Sequence, residues 1–491
     1  MTKVQTSKKP ELIFGIIAKI GTDLDAVNES IANELSQYGY SSVPIKLTTA
    51  LSEKAIQNKL KKTIDRSSLE KRYMSSMDAC NELRKKAGNE VMAELAVSQI
   101  VSLRKKVQKK DSRPIAFIVR QLKRKEEVEL LRKVYGDKFI LVSCFSPREL
   151  RCDILAGNIA DSKRSTEPNS YRDKAEQLII RDENETDNPN GQRVRDAFPN
   201  ADVIINSKDK PSTDETLKHF FKVFFGNPKI APTKDEYGLF MASAAALRST
   251  DLSRQVGAAI FTDKLEVVSL GSNEVPKYSG GTYLQDETES GGIDGRDAAL
   301  GFDANAKIRT EIAKDAVYQI SNLSEKKLSE DQVSQFLEKH LFAEGGKLND
   351  LLILDITEFG RAVHAEMNAI TDAARTGKST DKTTLYCTTF PCHNCAKHIV
   401  ASGIIRVVYI QPYPKSKAEQ LYPDSISIDP KDKPAQKVIF EIHKGIAPNL
   451  YPRVFGKTKK KDKYGKLLPW DKASALPSVN LRDLGLSLIH I

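Results

Sequence analysis

Two short motifs constrain this chain more than any other feature: His364-Ala365-Glu366, and Pro391-Cys392-His393-Asn394-Cys395, whose first cysteine lies 28 residues beyond the histidine. An imidazole and two thiolates form a tetrahedral Zn²⁺ donor set that leaves a fourth position for water. A purely structural zinc is normally closed by four protein ligands. The intervening chain must therefore fold back and bring both motifs to one point. Hydrophobic spacing predicts helices from about Arg361 to Ala374 and from Cys392 to Ser402, with strands at Thr384 to Thr388 and Arg406 to Gln411. Glu366, two residues past His364, points too far round to share the ligand direction, yet stands close enough to move protons beside the ion. Cysteines in the first turn of a helix favour the thiolate form. His393 and His398 read as ordinary helix residues and Cys387 as a buried strand thiol. A closed zinc site or inert buried thiols is the alternative, and it gives Glu366 no role.

The rest of the chain sets the frame for these motifs. At 491 residues it is too long for one ordinary core. With 40% hydrophobic and 29% charged residues it is not a largely disordered chain. No apolar run approaches the ~18 residues of a membrane helix, and the opening MTKVQTSKKP lacks a signal-peptide core, so a cytoplasmic protein without a membrane partner is expected. Six cysteines are too few for a disulfide scaffold, and an excess of 76 Lys and Arg over 65 Asp and Glu favours polyanionic or phosphorylated partners.

The first half alternates β-rich runs (Leu12 to Ala18, Ser42 to Leu47, Pro114 to Val119, Lys138 to Ser143, Asp202 to Asn206) with helical stretches, as in a doubly wound sheet. One of these, Leu69 to Lys110, reads as a long helical excursion. The expected division is a first domain over 1–226, a linker over 227–235 and a second α/β domain over 236–491, the last interrupted by an insertion at about 279–357. After the first strand, Gly15, Gly21 and Thr22 suggest a phosphate-binding turn at a helix start. The P-loop pattern GxxxxGK[ST] is not met, because the glycines are one residue too far apart and no Lys precedes Thr22. A degenerate nucleotide-binding loop and a purely structural loop both remain. Arg172, Arg181, Arg193 and Arg195 surround the polar loop 182–195 and read either as lid arginines or as solvated charges. The basic runs Arg104 to Lys110 and Lys457 to Lys466 are open to nucleic acid but are more often solvated faces.

Four blocks in order, MASAAALRSTDLSRQVGAAI, LGSNEVP, VHAEMNAI and TLYCTTFPCHNCAKHIVASGIIRVVY, resemble the deoxycytidylate deaminase branch of the cytidine deaminase superfamily. The resemblance implies that His364, Cys392 and Cys395 hold Zn²⁺, that Glu366 is the proton shuttle and that Asn273 touches the nucleotide. It places Arg248, Ser249 and Arg254 near the phosphate. With the long N-terminal half, the organisation resembles large bacterial anti-phage deaminases: a P-loop-kinase-like parallel sheet joined to a cytidine-deaminase-like α/β/α domain. For such proteins the resemblance implies deamination of dCTP and dCMP to dUTP and dUMP, a small inhibitory RNA as partner and a homo-oligomer, hexameric in the deaminase branch. Two other readings stand beside it. One is a base-editing deaminase acting on RNA or DNA, which needs a groove for a flipped nucleotide; the other is a nucleotide- or RNA-binding regulator with a vestigial zinc site.

Overall fold

In β1 (Leu12–Ala18) every side chain is buried, as expected of a strand covered on both faces. The computed structural model describes residues 9–51, 60–61, 64–185, 188–286, 293–323, 327–343, 346–348, 351–413, 415–430, 436–456 and 460–479. Parts of the expected loop 182–195, the insertion 279–357 and the basic run 457–466 lie outside these residues. The chain divides into two units, one of residues 1–236 with 443–491 and the other of residues 237–442.

In the first unit β2 (Ser41–Lys46), β3 (Ile115–Leu122), β4 (Phe139–Phe145) and β5 (Val203–Asn206) join β1 in a parallel sheet of order β5-β4-β1-β3-β2. Gly15 lies inside β1, where an added Cβ would fall 2.7 Å from ring carbons of Phe139. It is a packing glycine, outside the turn that follows the strand. The single helix expected over Leu69 to Lys110 is two, Leu69–Ala87 and Val91–Gln108, because Gly88 caps the first with a φ of 102° that the helix cannot continue through.

The expected boundary is corrected at both ends. The first unit runs to Glu236, and residues 443–491 return to it instead of completing the second domain. The two-residue strand β12 (Gly445–Ile446) pairs antiparallel with the edge strand β5, Gly445 opposite Ile204 and Ile446 opposite Val203. An edge strand left bare would expose its unpaired backbone groups. Ile446, Leu450 and Val454 then join the apolar cluster around β1, and the indole N–H of Trp470 donates to the Phe225 carbonyl at 2.9 Å.

The second unit holds β6 (Gly257–Phe261), β7 (Val267–Ser272), β8 (Thr384–Thr389), β9 (Arg406–Gln411), β10 (Ile426–Ile428) and β11 (Val438–Ile442) in the order β10-β11-β9-β8-β6-β7. β6 runs antiparallel to both neighbours and the other pairs are parallel. Helices approach this sheet at two glycines. A Cβ on Gly257 would fall 1.9 Å from the Ala242 carbonyl oxygen, and one on Gly271 would fall 2.1 Å from that of Ala365. The protein is thus mixed α/β in both units. No described helix is long and apolar enough to cross a membrane.

Candidate metal centre and nucleotide pocket

The two motifs converge as their chemistry requires. The helix Ala365–Arg375 lies on β7, and its first turn is fixed by backbone pairing of Val363 with Glu274 at 3.0 and 3.3 Å. Because Val363 is committed to that bridge, the helix begins later than the expected Arg361. His364 is its extended N-cap residue and Glu366 stands in the first turn. The Asn368 side chain accepts from Ser272 N–H at 3.1 Å, and the Ser269 hydroxyl donates to the Ala369 carbonyl at 2.6 Å, locking helix to strand. Across from it, Cys392 caps the helix His393–Ala401 and its sulfur accepts from Cys395 N–H at 3.4 Å. That contact seats one sulfur against a helix N-terminus, where partial positive charge favours the thiolate.

His364 Nδ1 lies 3.3 Å from Cys392 Sγ and 3.4 Å from Cys395 Sγ. Zn–S bonds of about 2.3 Å and Zn–N bonds of about 2.0 Å separate tetrahedral S and N donors by about 3.5 Å, so the cluster fits zinc. These three residues are the only group of the kind among the described residues. Glu366 is buried, with Oε2 3.5 Å from Cys395 Sγ. Burial pushes its carboxyl pKa up, and the nearby Cys392 sulfur adds to the shift. The hydrogen bond from Cys395, with His364 beside it, brings the Cys392 thiol down to about 4, and the same sharing pushes Cys395 well up. The hydrogen bond to Cys392 in turn raises the His364 imidazole to about 9. Cys387 is a buried strand thiol, and neither His393 nor His398 belongs to the cluster.

A pocket opens over Glu366. Arg254 and Asn273 line it, whereas Arg248 and Ser249 are not among its lining residues. Arg248 donates to the Thr282 hydroxyl at 3.1 Å, and Ser249 is buried, its hydroxyl accepting from Asp251 N–H at 3.2 Å. Asn273 braces the loop that carries Arg254: its carbonyl accepts from Val256 N–H at 2.7 Å and its amide donates to the Arg254 carbonyl at 2.9 Å. The Arg254 guanidinium lies over the Tyr413 ring, 5.1 Å from its centroid. Tyr413, Phe390, Arg361 and Asp297 also line the pocket and were not singled out from the sequence. The one available signal was the placement of Tyr413 in the loop after β9, where binding residues concentrate.

The turn after β1 differs from an open phosphate cradle. Ile20 N–H donates to Asp182 at 2.8 Å, the Thr22 hydroxyl donates to the Lys19 carbonyl at 2.8 Å, and Asp23 caps the following helix. Gly21, at φ 90°, packs against the Arg151 backbone. The donors at this turn are thus held by the chain itself, Ile20 N–H by the Asp182 carboxylate and the Thr22 N–H and hydroxyl by the Lys19 carbonyl. Of the loop arginines, Arg172 pairs with Asp153, Arg181 with Asp78 and Glu185, and Arg195 with Asp196. In the basic C-terminal run Lys460, Lys461, Lys463 and Lys466 are exposed.

Over 55 residues the chain is 51% identical to the deoxycytidylate deaminase of Enterobacteria phage T4, covering 11% of this chain and 28% of that protein. Over 94 residues it is 38% identical to the probable deoxycytidylate deaminase of Drosophila melanogaster, covering 18% of this chain and 45% of that protein. The chain thus spans less than half the length of these relatives. The solved dCMP deaminase of cyanophage S-TIM5, in complex with dCMP and dUMP, matches 44% of this chain and 100% of its own at 16% identity. Its TM-score of 0.23 supports no inference about this chain. Residues 232–411 match the family model of the cytidine and deoxycytidylate deaminase zinc-binding region, and that matched stretch contains His364, Glu366, Cys392 and Cys395.

Proposed function

We propose that the chain is a zinc-dependent hydrolytic deaminase of deoxycytidine nucleotides, converting dCMP and dCTP, each with one water, to dUMP and dUTP plus ammonia. The observation that carries the reading is a three-donor cluster with a buried carboxylate beside it and a pocket above. Zinc, when bound, supplies Lewis acidity that makes water a nucleophile near neutral pH. Glu366 takes one proton from the attacking water and delivers it to ring N3, then relays the second proton from the same oxygen to the amino group leaving C4, so the water oxygen ends as the C4 carbonyl, N3 carries a hydrogen and the nitrogen departs as ammonia. Phe390 offers an apolar wall for the base. Arg254, without an ion pair among the described residues, offers a cation for phosphate, and Asn273 holds its loop in place.

The extension to dCTP, and to depletion of dCTP in defence against phage, is supported by the resemblance of the two-part organisation. The test is uracil product from zinc-loaded protein given dCMP, dCTP or a single-stranded oligodeoxynucleotide. Turnover of both free nucleotides is expected. Turnover of the oligonucleotide alone would reassign the chain to polymer editing, and none with any of the three would end the reading.

A further inference from the structure

Part of the pocket wall comes from the insertion, through Asp297, Asp303, Asn305 and Thr357, with Arg361 directly after it. Asn305 ties the insertion to the segment leading into His364: its amide donates to the Ile356 carbonyl at 2.8 Å and its carbonyl accepts from Phe359 N–H at 3.2 Å. Arg361 is held from the insertion as well. One Nη donates to Asp297 Oδ1 at 2.6 Å and the other to the Gly295 carbonyl at 2.8 Å.

The charges at this rim oppose a phosphate. Three carboxylates line it, Asp251, Asp297 and Asp303, against two guanidinium groups, Arg254 and Arg361. A phosphorylated ligand gains a second cation there only if Arg361 leaves Asp297. Asp297 is poorly suited to keep it: burial pushes its carboxyl pKa up, and Asp303 and Asp251 add to that against the pull of Arg361. In the same wall the buried Thr357 hydroxyl has no hydrogen-bond partner among the described residues. A phosphate dianion at the mouth could take both groups.

We propose that Asp297 and Arg361 form a latch in which the insertion's carboxylate competes with substrate phosphate for the arginine, so that the insertion sets how strongly the pocket prefers a phosphorylated deoxycytidine over the free nucleoside. The identity of the ligand rests on the deaminase reading above. The latch itself is read from binding alone, without turnover.

The test is calorimetric affinity for dCMP and for deoxycytidine of the zinc-loaded full chain carrying Glu366→Gln to prevent turnover, with the latch wild type or substituted, and with zinc content and melting temperature measured on every variant. R361Q removes a charge-assisted contact and should lower the preference for dCMP by about tenfold. D297N should move the preference the other way, by about threefold, since the competitor loses its charge. A pair acting only as a strut would shift both variants in one direction, or both ligands alike, and either result overturns the latch. R361K keeps the charge and decides the same question if R361Q fails to fold, since it should retain more of the preference than the loss of a whole charge allows. Should the chain with the wild-type latch bind neither compound, the deaminase reading falls and the latch with it. Should it bind both with an unchanged ratio in the variants, only the latch falls.

Discussion

Replacing Gly271 by alanine perturbs the metal centre without touching a ligand. The new Cβ would sit 2.1 Å from the Ala365 carbonyl oxygen and 2.5 Å from the Ala369 nitrogen, both backbone atoms that cannot rotate aside. Restoring an ordinary contact of at least 3.4 Å requires the helix to retreat by roughly 1.3 Å at Ala365. That residue lies between His364, whose Nδ1 is 3.3 and 3.4 Å from the two sulfurs, and the proposed proton shuttle Glu366. Overpacking of this kind costs about 1–3 kcal/mol, offset by about 0.5–1 kcal/mol from replacing a strand glycine. A net loss of up to about 2.5 kcal/mol corresponds to a melting shift of up to roughly 10 °C for a unit of this size. Displacement of the donor and the shuttle by about 1 Å should lower the deamination rate on the order of 100-fold. Thermal melting, zinc stoichiometry and the rate with dCMP are the measurements. A G271A protein with unchanged melting, full zinc and a rate within threefold of wild type would show that the close approach does not position the site.

Glu366→Gln preserves shape but cannot shuttle a proton, so zinc content should be unchanged while turnover falls about 10²–10⁴-fold; activity within tenfold of wild type would remove the shuttle role. His364→Ala or Cys395→Ser should leave protein with little bound zinc by elemental analysis, since each removes one of three donors. Gly157 has no described atom within 4 Å of its added Cβ and lies inside a helix, so G157A should raise stability by about 0.5–1 kcal/mol in urea melts. Buried Glu236 accepts from Thr233 N–H at 2.8 Å and Ile446 N–H at 2.9 Å, and it pairs with His219 at 3.1 Å. Burial raises its carboxyl pKa, yet the His219 contact and these N–H groups outweigh that and hold it below the usual 4.5. A folded-state pKa below the unfolded one gives stability that is present above about pH 4.5 and lost as the pH falls through the folded value. E236Q should therefore be less stable at pH 7 by about 1–3 kcal/mol, with the gap closing in acid; a gap independent of pH would refute this account.

Strands were legible where burial repeats along one run. The reading of β1 from Leu12 to Ala18 and of β9 from Arg406 to Gln411 coincides with the structure because those runs are apolar and bounded by turns. The returning tail was not legible. β12 has two residues, and its reason for existing is the open edge of β5, more than two hundred residues away in sequence. The break at Gly88 was present in the sequence as a Gly-Asn pair, but the helical spacing of apolar residues continues on both sides and hid it. His364 falls outside its helix for a comparable reason, the long-range bridge between Val363 and Glu274.

At the metal centre the contrast is one of chemistry. Three donors and a shuttle must meet within a few ångströms, and two local motifs with fixed internal spacing meet that demand, so those residues stand out in the chain. No spacing rule links Asp297 to Arg361, 64 residues later, and neither residue type signals the other. Among the described residues no hydrogen bond to His364, Glu366, Cys392 or Cys395 comes from residues 279–357. The insertion therefore acts at the pocket mouth and not on the donors. Changes within it should alter which ligand is preferred while zinc stays bound, and loss of zinc on replacing Asp297 would contradict that separation.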